Sequence, residues 1–201
     1  METETQQEPL ERFIRKKLVE LKAVMGSMEC RMNDFNAAMQ TMESARNDAL
    51  RSELTGTVNF LSKEMISICF KEFKHWIISG EVEKAVKAHM NAAIILSSSC
   101  KSIDEQDSAY FKGRVFSEGA VKLWDIGTYH HRQGNAYLLA GSPAYEVAKH
   151  WEIAVKCYAN VQKLHEIGIS IGAQVPVNYC EQAQAQISDI ISAKSRLSQS
   201  A

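Results

Sequence analysis

A chain of 201 residues, 45% hydrophobic and 23% charged, has the length and composition of one globular unit, or of one unit with an extension. Its formal net charge of −1 excludes a global basic field for nucleic acid and the acidic excess of a disordered chain. Five widely spaced cysteines without a CxxC pair read as reduced thiols of a cytoplasmic protein, and no apolar run is long enough for a membrane span.

Residues 1–9, METETQQEP, are polar and acidic, unlike a signal or transit peptide, and are expected to be a flexible lead-in. Prolines occur only at Pro9, Pro143 and Pro176, and apolar residues between them recur at spacings of three and four, so the predicted class is all-α. Residues 10–55 read as a coiled-coil-like arm, one continuous helix over Leu10–Ala49. After Ile14, its seam is Leu18, Leu21, Met25, Met28, Met32, Phe35, Met39 and Met42, in alternating steps of three and four. Methionine is flexible and fills irregular gaps, so this seam suits more than one partner surface. Its own chain, a second copy in a homo-oligomer, or a different protein could cover it. Gly56 is expected to end the register.

Residues 57–201 read as a series of shorter helices forming antiparallel hairpins. In GNAYLLAG, Gly134 admits a neighbouring helix, Tyr137 fills the space between paired helices, and Gly141 suits the turn that follows. Pro143 can open the next helix, whose Ala148, Trp151, Ala154 and Tyr158 share one side. This pattern resembles a tetratricopeptide repeat, with Gly-x2-Tyr-x3-Gly followed by alanine, an aromatic and alanine. A second copy carries Phe73, Trp76, Gly80, Val82, Ala85 and Ala92 at the corresponding positions, with His89 where an aromatic is usual. The resemblance covers under half the chain, and a non-repeat helical bundle would need the same glycines and alanines. Residues 102–127, with Tyr110, Gly113, Ala120 and Trp124, read either as a degenerate repeat or as one long linking helix. A capping helix over 178–198, with Asn178 as N-cap and Cys180, Ala183, Ile187, Ile190 and Ile191 as its apolar stripe, completes the fold.

No catalytic, metal or phosphate motif emerges. The histidines make no HExxH and have no cysteine at zinc-finger spacing; the glycines fit neither GxGxxG nor GxxxxGK, and no GxSxG is present. No cofactor is therefore expected. What the repeat resemblance implies is a groove lined by the first helix of each hairpin, holding a partner protein or peptide. It would be contacted by Phe70, Lys74 and Ile77 from one copy and His131, Arg132, Asn135 and Leu138 from the other. The expected function is a non-catalytic adaptor with an arm for assembly. A structural subunit of an oligomer or complex is the alternative, and an enzyme with an unrecognised site the remote one.

Overall fold

Five inter-helix turns in this chain share one construction. After the helix, a single residue adopts positive φ: Asn33 (61°), Glu53 (56°), Gly80 (75°), Gly141 (68°) and Gly172 (68°). The next residue's N–H then bonds a carbonyl five residues back, as Asp34 to Glu29, Leu54 to Ala49, Glu81 to Trp76, Ser142 to Tyr137 and Ala173 to Gly168, at 2.8–3.0 Å. This bond satisfies a carbonyl the helix end would leave orphaned, and it opens the short connection to the next helix.

The structure, a computed structural model, describes residues 4–199, with side chains over 11–197. All regular structure among these residues is helical: α1 (Glu4–Arg31), α2 (Phe35–Arg51), α3 (Thr55–Ile78), α4 (Val82–Ser99), α5 (Glu105–Lys112), a π-helical turn (Gly113–Glu118), α6 (Gly119–Leu139), α7 (Ala144–Ser170) and α8 (Val177–Gln199). Consecutive helices pack as hairpins, α1 on α2, α2 on α3, α3 on α4, α6 on α7 and α7 on α8. The α4–α7 contact joins the two halves.

Several boundaries differ from the sequence reading. The arm is not one helix. It breaks at Asn33, where asparagine tolerates the left-handed conformation, and Asp34 restarts the chain by accepting the Ala37 N–H on its side chain at 3.1 Å. The second break falls at residues 52–54, and Gly56 lies inside the first turn of α3. The first helix starts at Glu4 rather than at Leu10, so residues 4–9 are helical instead of a flexible lead-in. Pro9 is the sixth residue of that helix and donates no backbone hydrogen bond there. Residues 105–139 form one long helical run interrupted by the π-helical turn, which decides against a separate repeat there. Helix α8 begins at Val177, so Asn178 lies within its first turn rather than capping it, and Ile191 is 56% exposed, outside its buried stripe.

Folding back at Asn33 splits the seam. Phe35 and Met42 are buried, whereas Leu18, Leu21, Met25, Met28 and Met32 remain exposed. Helix α1 instead turns Val19, Gly26 and Cys30 toward α2. A Cβ at Gly26 would stand 2.9 Å from Met42 Cγ and 3.2 Å from the Ala38 carbonyl oxygen, which measures how closely the two helices approach. The core centre lies farther along the chain, where Trp151, Tyr158, Phe116, Leu96, Leu123 and Leu164 are fully buried. Each such aliphatic or phenyl side chain contributes about 1.5–3 kcal/mol relative to exposure.

Candidate interaction surfaces

The residues expected to line a groove are distributed over two helices with different neighbours. Helix α3 packs mainly on α2 and α4, and α6 on α7 and α8. Phe70 is drawn inward, with its ring 6.5 Å from Phe111 and 6.2 Å from His89 and the Arg114 guanidinium 4.7 Å above it. Lys74 is exposed and Ile77 half-buried. On α6, Arg132 is exposed and Leu138 is 38% exposed. His131 turns toward α7 and α8: its ring meets Tyr158 edge-on at 6.3 Å. Burial lowers its pKa, while a hydrogen bond with Gln186 and the charge of Asp189 act the other way. Asn135 is exposed, and its Oδ1 accepts the Trp151 indole N–H at 3.1 Å.

The α6–α7 crossing is the tightest polar assembly. Trp151 lies against Gly134, and beside them His130 and His150 meet Nδ1 to Nδ1 at 2.9 Å, with Tyr137 stacked on His150 at 5.2 Å. One of the two imidazoles must carry its proton on Nδ1 for that bond to form. Burial and the neighbouring His150 lower the pKa of His130. A second polar contact sits at the π-helical turn, where His89, 1% exposed, meets the Val115 carbonyl through Nε2 at 2.8 Å. With Nε2 donating, Nδ1 becomes an acceptor, and it has no hydrogen-bond partner. Burial lowers the His89 pKa. The ring also explains Gly119, because a Cβ there would lie 2.0 Å from Nε2.

One surface feature escaped the sequence reading, and a second is the part of the expected seam that stays uncovered. A groove of about 580 Å³ runs between α2, α3 and α4, with Met39, Met65, Trp76 and Ile95 among its apolar lining. Glu43 and Glu72 lie on its α2 and α3 side, and Lys84 and Lys87 on its α4 side. Met39, assigned to the seam, belongs here. The signal was its place on α2's second face, visible only once the arm is known to fold back. The other feature is the outer face of α1, where Ile14, Leu18, Leu21, Met25, Met28 and Met32 are 47–70% exposed in an unbroken heptad row. Phe13 and Val24 flank it at 57% and 56%. Together these side chains expose on the order of 800 Å² per chain, more than the largest apolar patch on most monomers.

Among the described residues no group of three or more histidine, cysteine, aspartate or glutamate side chains is placed to hold a metal ion. No helix among them is long and apolar enough to cross a membrane. Comparison with protein-family models, curated proteins and solved structures finds no match to this chain.

Proposed function

We propose that the chain is a non-catalytic scaffold that works by protein–protein association, with α1 as its assembly face and the hairpin body as a platform for a partner protein or peptide. The observation that carries this reading is the exposed heptad row of α1. A helix that packs on its own chain through Val19, Gly26 and Cys30 has no intramolecular use for six further apolar residues at coiled-coil spacing. The glycine–aromatic–alanine hairpins support a tetratricopeptide-like body, in which Lys74, Arg132 and Leu138 remain available to a partner. The unpaired state of all five cysteines supports a reducing compartment, and we place the protein in the cytoplasm.

The test is chemical cross-linking in cells with the parent chain and a Leu21→Glu/Met25→Glu variant. Loss of cross-linked products in the variant is the expected result. Identical products from both chains would remove α1 from any role in association.

A further inference from the structure

We propose that the occupant of the α1 face is a second copy of this chain, docked antiparallel about a twofold axis beside residue 23. The inference rests on the scaffold reading and adds the partner's identity and direction.

The row itself is divided. Its first half is aliphatic, with Ile14, Leu18 and Leu21; its second half is methionine, with Met25, Met28 and Met32. In a parallel pair each layer would set like on like, and the three methionine layers would be loosely specified. In the antiparallel pair Ile14 meets Met32 of the second copy, Leu18 meets Met28 of the second copy, and Leu21 meets Met25 of the second copy. Every layer then joins a stiff branched side chain to a flexible one that can fill the remaining gap.

Charge favours the same direction. The positions flanking the row on its α2 side are Arg15, Lys22 and Glu29. Antiparallel docking brings Arg15 opposite Glu29 of the second copy, twice by symmetry. Glu29 is half-buried, with its Oε2 enclosed in its own chain without a hydrogen-bond partner, and Arg15 is exposed, in contact with Glu11 at 3.5 Å. Lys22 would approach its own symmetry mate, but it is bonded at 2.5 Å to Asp48. On the opposite flank Lys17 would approach Arg31 of the second copy, with Lys17 already paired to Glu20 at 2.7 Å. Parallel docking would oppose Lys17 and Lys22 twice, with the same internal partners and no attractive pair in return, so the directions differ by the two Arg15–Glu29 pairs.

Area agrees as well. The exposed apolar surface, on the order of 800 Å² per chain, is an upper limit on what each partner could bury and is comparable with one side of an interface of standard size.

Sedimentation across a concentration series from micromolar to sub-millimolar reads the proposal directly. The parent should pass from 22.5 kDa to twice that mass. The Leu21→Glu/Met25→Glu variant should keep its circular dichroism and melting temperature yet dissociate at least about 100-fold more readily, because four carboxylates would meet in two adjacent apolar layers. Arg15→Glu should weaken the dimer by roughly ten-fold, and adding Glu29→Arg should restore it. Direction is read by oxidation in a background with Cys100→Ser and Cys180→Ser, since the remaining cysteines are buried. Mixed Leu21→Cys and Met25→Cys chains should cross-link, and Leu21→Cys alone should not. Cross-linking of Leu21→Cys alone would overturn the antiparallel register. A parent that stays at 22.5 kDa throughout would overturn the second copy as occupant; the scaffold reading then survives only if the glutamate variant still loses cross-linked products in cells.

Discussion

The indole of Trp151 occupies the space that a side chain at residue 134 would need: a Cβ on Gly134 would stand 2.4 Å from Trp151 Cδ1 and 2.5 Å from Nε1. Backbone and ring share one contact, so α6 and α7 cross at the distance a glycine permits. Gly134→Ala should therefore destabilise the protein by about 1–3 kcal/mol through overpacking. Denaturant unfolding followed by tryptophan fluorescence measures it, and an unchanged midpoint would show that the crossing is looser than described.

The same indole is bonded by Asn135, an exposed residue. Its Oδ1 accepts the Trp151 N–H, so Asn135→Ala removes the side-chain partner of a donor on a 1% exposed ring. The expected loss is about 1–3 kcal/mol. Lys74→Ala and Arg132→Ala, both at exposed positions, should stay within about 0.5 kcal/mol of the parent. Thermal melts of the three variants separate fold from surface, and only the last two are clean probes of partner binding.

Glu53 carries a positive φ of 56° in the α2–α3 turn, a conformation that costs an ordinary L-residue about 1–2 kcal/mol. Glu53→Gly relieves that strain and loses part of the gain to the greater freedom of glycine when unfolded. A net stabilisation of about 0.5–1 kcal/mol is expected in urea titrations. Glu53→Val should move the midpoint the other way.

Stability should fall on mild acidification. His89, His130 and His131 all have pKa values lowered by burial, so the unfolded chain takes up protons near the ordinary histidine value of 6.5 before the folded chain does. Their contribution is complete above pH 6.5 and is lost as pH falls below it toward the lowered folded values. The slope is at most about 1.4 kcal/mol per pH unit for each group. His89→Phe, which cannot titrate, should reduce the slope between pH 6.5 and 5; urea midpoints at several pH values give it. An unaltered slope would assign the effect to the other histidines.

The turns at Gly80 and Gly141 were legible because glycine announces a left-handed residue, and Gly172 uses the same construction. The turns at Asn33 and Glu53 use the same bond with side chains that do not, and at Asn33 the apolar period ran straight through the reversal. The pair Asn33–Asp34 was the available signal, a tolerated left-handed residue followed by a side-chain cap. Buried alanines Ala85, Ala92 and Ala154 and the approach at Gly134 followed from small-and-large spacing, which reports helix contact whatever the fold. The fate of the expected groove was not legible. Spacing says which residues share a face, but not that Phe70 lies under Arg114 or that the exposed Asn135 also bonds Trp151, partners distant in sequence.

The π-helical turn at Gly113–Glu118 has a geometric consequence for the whole long helix. Before it the buried residues keep the rhythm Ser108, Phe111, Val115; after it the count restarts at Phe116 and runs Ala120, Leu123, Gly127. Val115 and Phe116 are both fully buried although they are adjacent, the mark of one residue inserted into the screw. The two segments therefore run on separate phases, like two gears on one shaft offset by a tooth. Removing a single residue from the turn would restore an unbroken α-helix in which both rhythms merge into one, so the faces beyond it, Gly134 included, would keep their direction.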